Sequence, residues 1–194
     1  MSAEAQSQPG EGANDPAGHI EQLRMASEVL SAEAAAIREL AKNIPASFPS
    51  ALELLQRTAG NVIVTGMGKA GLIGQKLSAT LSSTGTASHF LHPSEAVHGD
   101  LGRVQQGDIV LALSYSGETE EILRLLPTIR NIPVPIISIT SRADSSLGLQ
   151  SSVTLPLGDL EEACPLGLAP TTTTARSRPL RRHNHSHSNG ARNA

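Results

Sequence analysis

The chain has 194 residues, 39% of them apolar and 2% aromatic with no Trp, which is enough for one packed core and tight for two. A core of Ala, Leu, Ile and Val suits a buried parallel sheet between helices better than a β-sandwich. Cys164 stands alone, which excludes an internal disulfide, and no apolar run approaches the roughly 20 residues of a membrane helix.

Charge is split along the chain. The last twenty residues hold five arginines and no acid, leaving a body with ten Lys or Arg against 18 Asp or Glu. A body this acidic is a poor surface for nucleic acid. The opening stretch lacks the basic and apolar parts of a secretory signal, so a cytoplasmic protein with no membrane partner is the expectation.

Residues 1–17 are small, polar and rich in Gly and Pro, the composition of a disordered leader. From Ile20 the pattern changes: Leu23, Leu30, Ile37 and Ile44 recur every seven residues, predicting a long amphipathic helix closed by Pro45. A second helix is expected over Ser50–Thr58. Beyond it, β-branched runs alternate with helical stretches, which predicts parallel strands joined by crossovers. The strands fall at Val62–Thr65, Ser88–Leu91, Ile109–Ser114, Ile136–Thr140 and Val153–Pro156. Helices fall between them at about Ala70–Ser83, Pro93–His98, Thr119–Arg130 and Ser145–Gln150. The fold class is therefore α/β, a flavodoxin-like doubly wound sheet of five parallel strands with N-terminal helices, whose ligands sit at the carboxyl ends of the strands. After Thr174 no periodicity remains, and residues 175–194 read as a disordered basic tail. His183, His185 and His187 in that tail alternate with polar residues; loose metal binding is the sharp reading and a flexible tail the bland one.

Two glycine-containing loops carry the chemistry. The first, Gly66-Met67-Gly68-Lys69-Ala70-Gly71, joins a strand to a helix start, where free N–H groups face an anion and Gly lets backbone and ligand approach. Its Gly-x-Gly-x-x-Gly spacing also fits a dinucleotide fingerprint, so an NAD-dependent Rossmann enzyme is an alternative. That motif needs an acidic residue at the end of the second strand, and His89–Pro93 supplies none, Glu95 lying past a proline. Lys69 reads either as a solvated lysine or as a cation for substrate charge. The second loop, Ser114-Tyr115-Ser116-Gly117-Glu118-Thr119, sets three hydroxyls around one glycine at a helix start, a neutral cradle for a phosphate monoester. Ordinary helix capping by Ser116 or Thr119 is the duller reading, but capping needs one such residue.

Together, Gly66-x-Gly68-Lys69-x-Gly71 and Ser114-x-Ser116-Gly117-x-Thr119 resemble the sugar isomerase (SIS) domain, a flavodoxin-like family that binds phosphosugars. Two further segments, His92-Pro-Ser-Glu-Ala-Val-His98-Gly-Asp-Leu-Gly102 and Glu161-Glu162-Ala-Cys164-Pro-Leu-Gly-Leu-Ala-Pro170, resemble the arabinose-5-phosphate isomerases within it. The resemblance covers about Ile20 to Thr174, and sets the domain at 18–174. It implies an aldose–ketose isomerase acting on a phosphorylated sugar, ribulose 5-phosphate to arabinose 5-phosphate for Kdo and lipopolysaccharide synthesis. It implies no compulsory metal or organic cofactor.

The reaction moves a proton between neighbouring carbons through an enediol, so it needs a base over the C1–C2 bond and a group that handles the oxygen protons. The resemblance places these at Lys69, Glu121 and Glu162, with His98 near the sugar: Glu162 as the carbon base, Glu121 as acid or orienting carboxylate. Each has a bland counterpart. Glu121 fits a solvated acidic helix start, Glu162 a polar loop, and His98 a structural histidine or a metal ligand. It also implies a homo-oligomer, dimer or tetramer. A non-catalytic phosphosugar sensor is the second alternative; the acidic body and the lack of an attached DNA-binding helix pair argue against a transcription regulator. After Thr174 the family's apolar helix, its His-Pro-Gly-Gly loop and its CBS modules are missing, which suggests a shifted or shortened reading frame and slow or absent turnover by this chain alone.

Overall fold

The structure, a computed structural model, describes residues 16–158. Glu162, Cys164, the tail histidines and most of the leader and tail expectations lie outside the described residues.

The heptad stripe does form a helix, α1 (Pro16–Lys42). It starts a few residues before Ile20, because a proline with its preset φ and missing N–H is well placed in a first helical turn. Among the described residues the stripe packs against no core: Leu23 is 71% exposed and Leu30 65%. α2 (Phe48–Arg57) likewise starts two residues earlier than expected, with Pro49 in its first turn, and seats Ala51 in the core.

The remaining elements follow the alternation in order: β1 (Val62–Gly66), α3 (Gly68–Ser83), β2 (Ser88–Phe90), α4 (Pro93–Val97), a 3-10 turn (Asp100–Arg103), β3 (Ile109–Leu113), α5 (Glu120–Asn131), β4 (Ile136–Thr140), α6 (Ser146–Leu149) and β5 (Val153–Pro156). All four strand pairings are parallel, in the order β2-β1-β3-β4-β5. This is the flavodoxin-like order, as expected from the sequence.

Both sheet faces are covered, and residue parity decides which face a strand side chain enters. Ile63, Val110, Ala112 and Ile136 pack with Ile122, Leu125, Leu126 and Ile129 of α5 and with Ala96 of α4. Val62, Val64, Ile109, Leu111 and Ile137 pack on the other face with Ala51 of α2 and with Ile73 and Leu77 of α3. Each fully buried Ile or Leu contributes roughly 1.5–3 kcal/mol of transfer free energy. The runs read as unbroken apolar strands because each is buried on two sides. No helix among the described residues is long and apolar enough to cross a membrane.

Candidate phosphosugar site

Strand order places the site. β1 lies between β2 and β3, in register with β3 from Val62↔Ile109 to Gly66↔Leu113. The chain therefore leaves β1 and β3 at the same level. Because α3 and α5 cover opposite faces, their entry loops part at the switch point, the position where doubly wound sheets take ligands.

On the β1 side, the glycines divide into two jobs. Gly68 sits in left-handed backbone at φ +53 with nothing near its absent side chain, leaving the turn open. Gly71 and Gly74 serve packing: a Cβ at Gly71 falls 2.7 Å from the Gly66 carbonyl oxygen, and one at Gly74 meets the Phe90 ring at 3.0 Å. Gly68 thus leaves open space at the turn, while the later two let α3 lie against the sheet. Lys69 is exposed in the first turn of α3.

On the β3 side, the loop is folded by its own hydroxyls. The buried Ser114 Oγ lies 2.6 Å from Thr119 Oγ1 and accepts the Gly117 N–H at 3.1 Å. Ser116 Oγ accepts from the Glu118 N–H at 3.1 Å. Thr119 is the residue that caps α5, yet its side chain makes no capping bond. Neither Ser116 nor Thr119 therefore does the ordinary capping work. Among the described residues, no hydrogen bond occupies the N–H of Thr119, Glu120 or Glu121. A free helix head of this kind, on a 12-residue helix with an exposed Ser116 hydroxyl beside it, offers hydrogen-bond donors and a favourable dipole to an anion. Ser114 lies beneath the loop as scaffold, while Ser116 is exposed and Thr119 half-buried.

Glu121 is half-buried in the first turn of α5, and Glu120 beside it is exposed, paired with Arg124 at 2.5 Å. His98 ends α4, which packs against α5, and lines a shallow 300 Å³ depression with Ser94, Glu95 and Asp100. No group of three or more His, Cys, Asp or Glu among the described residues is placed to hold a metal ion. In the same segment, His92 Nδ1 is buried without a partner and its ring meets Phe90 edge-on.

Sequence reasoning missed the loop after β4. Ser141 N–H donates to the Tyr115 carbonyl at 2.7 Å, Thr140 Oγ1 donates to the same oxygen at 3.2 Å, and Leu147 N–H donates to the Gly117 carbonyl at 2.9 Å. The run Thr140-Ser141 followed by Ser145-Ser146 repeats the hydroxyl clustering of the first loop and was the available signal.

A doubly wound parallel sheet of this order, with a serine-rich loop at its switch point, is an α/β fold of the sugar isomerase type, and the SIS domain family matches residues 55–176. The chain belongs to the SIS domain family. It is 49% identical over 147 residues to the arabinose 5-phosphate isomerase KdsD of Shigella flexneri, covering 76% of this chain and 45% of that protein. It is 44% identical over 156 residues to KdsD of Pseudomonas aeruginosa, covering 80% of this chain and 48% of that protein. An Escherichia coli CFT073 protein solved in complex with A5P superposes with a TM-score of 0.76 at 37% identity, covering 83% of this chain and 84% of that one. The chain thus spans about half the length of the curated relatives it matches.

Proposed function

We propose that this chain is the sugar-binding and isomerising portion of an arabinose-5-phosphate isomerase, interconverting ribulose 5-phosphate and arabinose 5-phosphate in the cytoplasm for lipopolysaccharide synthesis. The observation that carries the proposal is the unoccupied head of α5 beside the Ser116 hydroxyl, at the switch point of a chain this similar to KdsD. The amides of residues 119–121 and the hydroxyls of Ser116 and Thr119 take the phosphate ester, with Gly66, Gly68 and Gly117 leaving room for it.

With the ester anchored, Lys69, Glu121, His98 and Glu162 act on the carbonyl end of the sugar. Glu162 removes the proton from C1 of the ketose as the C2 oxygen gains one, giving the enediol. The proton then returns to C2 while the C1 oxygen releases its own. Glu121 serves the oxygens and Lys69 offsets negative charge that develops on them. No step calls on a metal or organic cofactor. The domain runs over 18–174, between a leader at 1–17 and a tail at 175–194. The working unit is a homo-oligomer, supported by the exposed apolar stripe of α1 at the seven-residue spacing with which helices pair.

Calorimetric titration with arabinose 5-phosphate and with plain arabinose, followed by a turnover assay on ribulose 5-phosphate, tests the proposal. The phosphorylated sugar binds and plain arabinose does not, Ser116→Ala with Thr119→Ala weakens binding at least about tenfold, and Glu162→Gln abolishes turnover. Failure to bind any phosphosugar overturns the reading. Binding without turnover, with an affinity that Glu162→Gln leaves unchanged, favours a phosphosugar sensor.

A further inference from the structure

One carboxylate of the phosphate loop does not belong to the receptor itself. Glu118 accepts a hydrogen bond from the Ser146 N–H at 2.8 Å, across a separation of 28 residues, at the head of α6. The Ser146 hydroxyl and amide, with a lesser contribution from Arg142, hold the Glu118 carboxyl below the ordinary carboxylate range. The group is therefore charged at neutral pH and stands next to the free amides of Thr119, Glu120 and Glu121. Coulomb repulsion alone makes a carboxylate there a handicap to binding a dianion.

We propose that Glu118 is a positioning residue: its bond to Ser146 holds residues 116–119 in the shape that receives the phosphate ester. This role rests on the phosphosugar reading above. The strut has a second effect. The Ser146 N–H goes to Glu118, the Leu147 N–H to the Gly117 carbonyl, and the Gly148 N–H to Ser145 Oγ at 3.2 Å. The head of α6 is thereby filled with protein acceptors, and the head of α5 is left as the place for an anion.

Positioning and repulsion predict opposite signs, which makes the inference testable. Removing a like charge tightens dianion binding, whereas removing a strut weakens it. The partner can be removed with little disturbance too. Ser146 is the first residue of α6, where proline is tolerated, and Ser145 at φ −67 and ψ 160 already has the backbone that a residue before proline adopts.

Arabinose 5-phosphate is titrated calorimetrically into the full chain and into Glu118→Ala, Glu118→Gln, Ser146→Pro and the Glu118→Ala/Ser146→Pro double variant, with circular dichroism and Tm on each. Glu118→Ala and Ser146→Pro are each expected to weaken binding about tenfold. Glu118→Gln, which keeps an acceptor oxygen, should weaken it less. The double variant should bind no more weakly than either single one, because both remove the same bond. A role confined to stability lowers Tm and leaves the Ala–Gln split and the coupling absent. Tighter or unchanged binding by Glu118→Ala, or additive losses in the double variant, overturns the proposal. Should Glu118→Ala fail to fold, Gln and Ser146→Pro decide it: unchanged affinity in both overturns it. A parent chain that binds no phosphosugar sinks the phosphate reading and this role with it, whereas binding that the variants leave intact removes only the role of Glu118.

Discussion

Gly117 is where the loop from Ser114 to Thr119 makes its strictest demand on residue type. Its φ of +69 lies in the left-handed region, and a Cβ there would fall 2.1 Å from Ser145 Oγ and 2.7 Å from Thr140 Oγ1. Gly117→Ala is expected to lower unfolding stability by about 1–3 kcal/mol in denaturant titration, from the backbone region and the clash combined. The glycine and the hydroxyls around it were legible in the sequence, because loop chemistry is written in residue types. Their division of labour was not. Ser114 is scaffold and Ser116 is exposed because the 2.6 Å pairing with Thr119 turns one hydroxyl inward, and only the folded loop sets that direction.

α5 carries a conflict between local and tertiary preferences. Pro127 lies inside the helix, where it removes one intrahelical hydrogen bond and crowds the carbonyl of the preceding turn. Reading α5 straight through Pro127 was nonetheless sound. Ile122, Leu125, Leu126 and Ile129 are almost fully buried, and their burial outweighs a proline cost of about 3 kcal/mol. Because Pro127 itself is exposed, Pro127→Ala removes the cost without opening a cavity. It should raise stability by about 1–2 kcal/mol after allowing for the stiffer unfolded chain that proline provides, as a higher Tm by calorimetry would record. Strand limits were read to within a residue at β1, β2 and β3 and to the residue at β4 and β5, since buried apolar runs end where the chain must turn.

At the scale of the whole molecule, two behaviours follow from groups outside the two loops. Burial, with help from the Arg103 charge, lowers the pKa of His89 on the edge strand β2 from its ordinary 6.5, and its Nε2 is buried without a partner. The folded state thus prefers the neutral imidazole, so the contribution is full above pH 6.5 and is lost as the pH falls through that value toward the folded pKa. Tm should therefore decline on acidification from pH 7 to pH 5, and His89→Gln should flatten that part of the profile. The second behaviour concerns assembly. If the α1 stripe is the pairing surface, Leu30→Lys with Ile37→Lys shifts sedimentation toward the monomer without lowering the Tm of the sheet domain, because neither residue is in its core.

Composition, periodicity and hydroxyl clustering by themselves determined the α/β class, the strand sequence and the two loops of the candidate site. These are local signals: a residue's burial or turn preference acts within a few positions of itself. The strut from Glu118 to Ser146, the crossing of Tyr115 and Gly117 to the loop after β4, and the choice of α5 over α6 as the open helix head were decided only by tertiary structure. Those contacts join positions more than twenty residues apart, and β3 must lie beside β4 before the hydrogen bonds between their loops can exist.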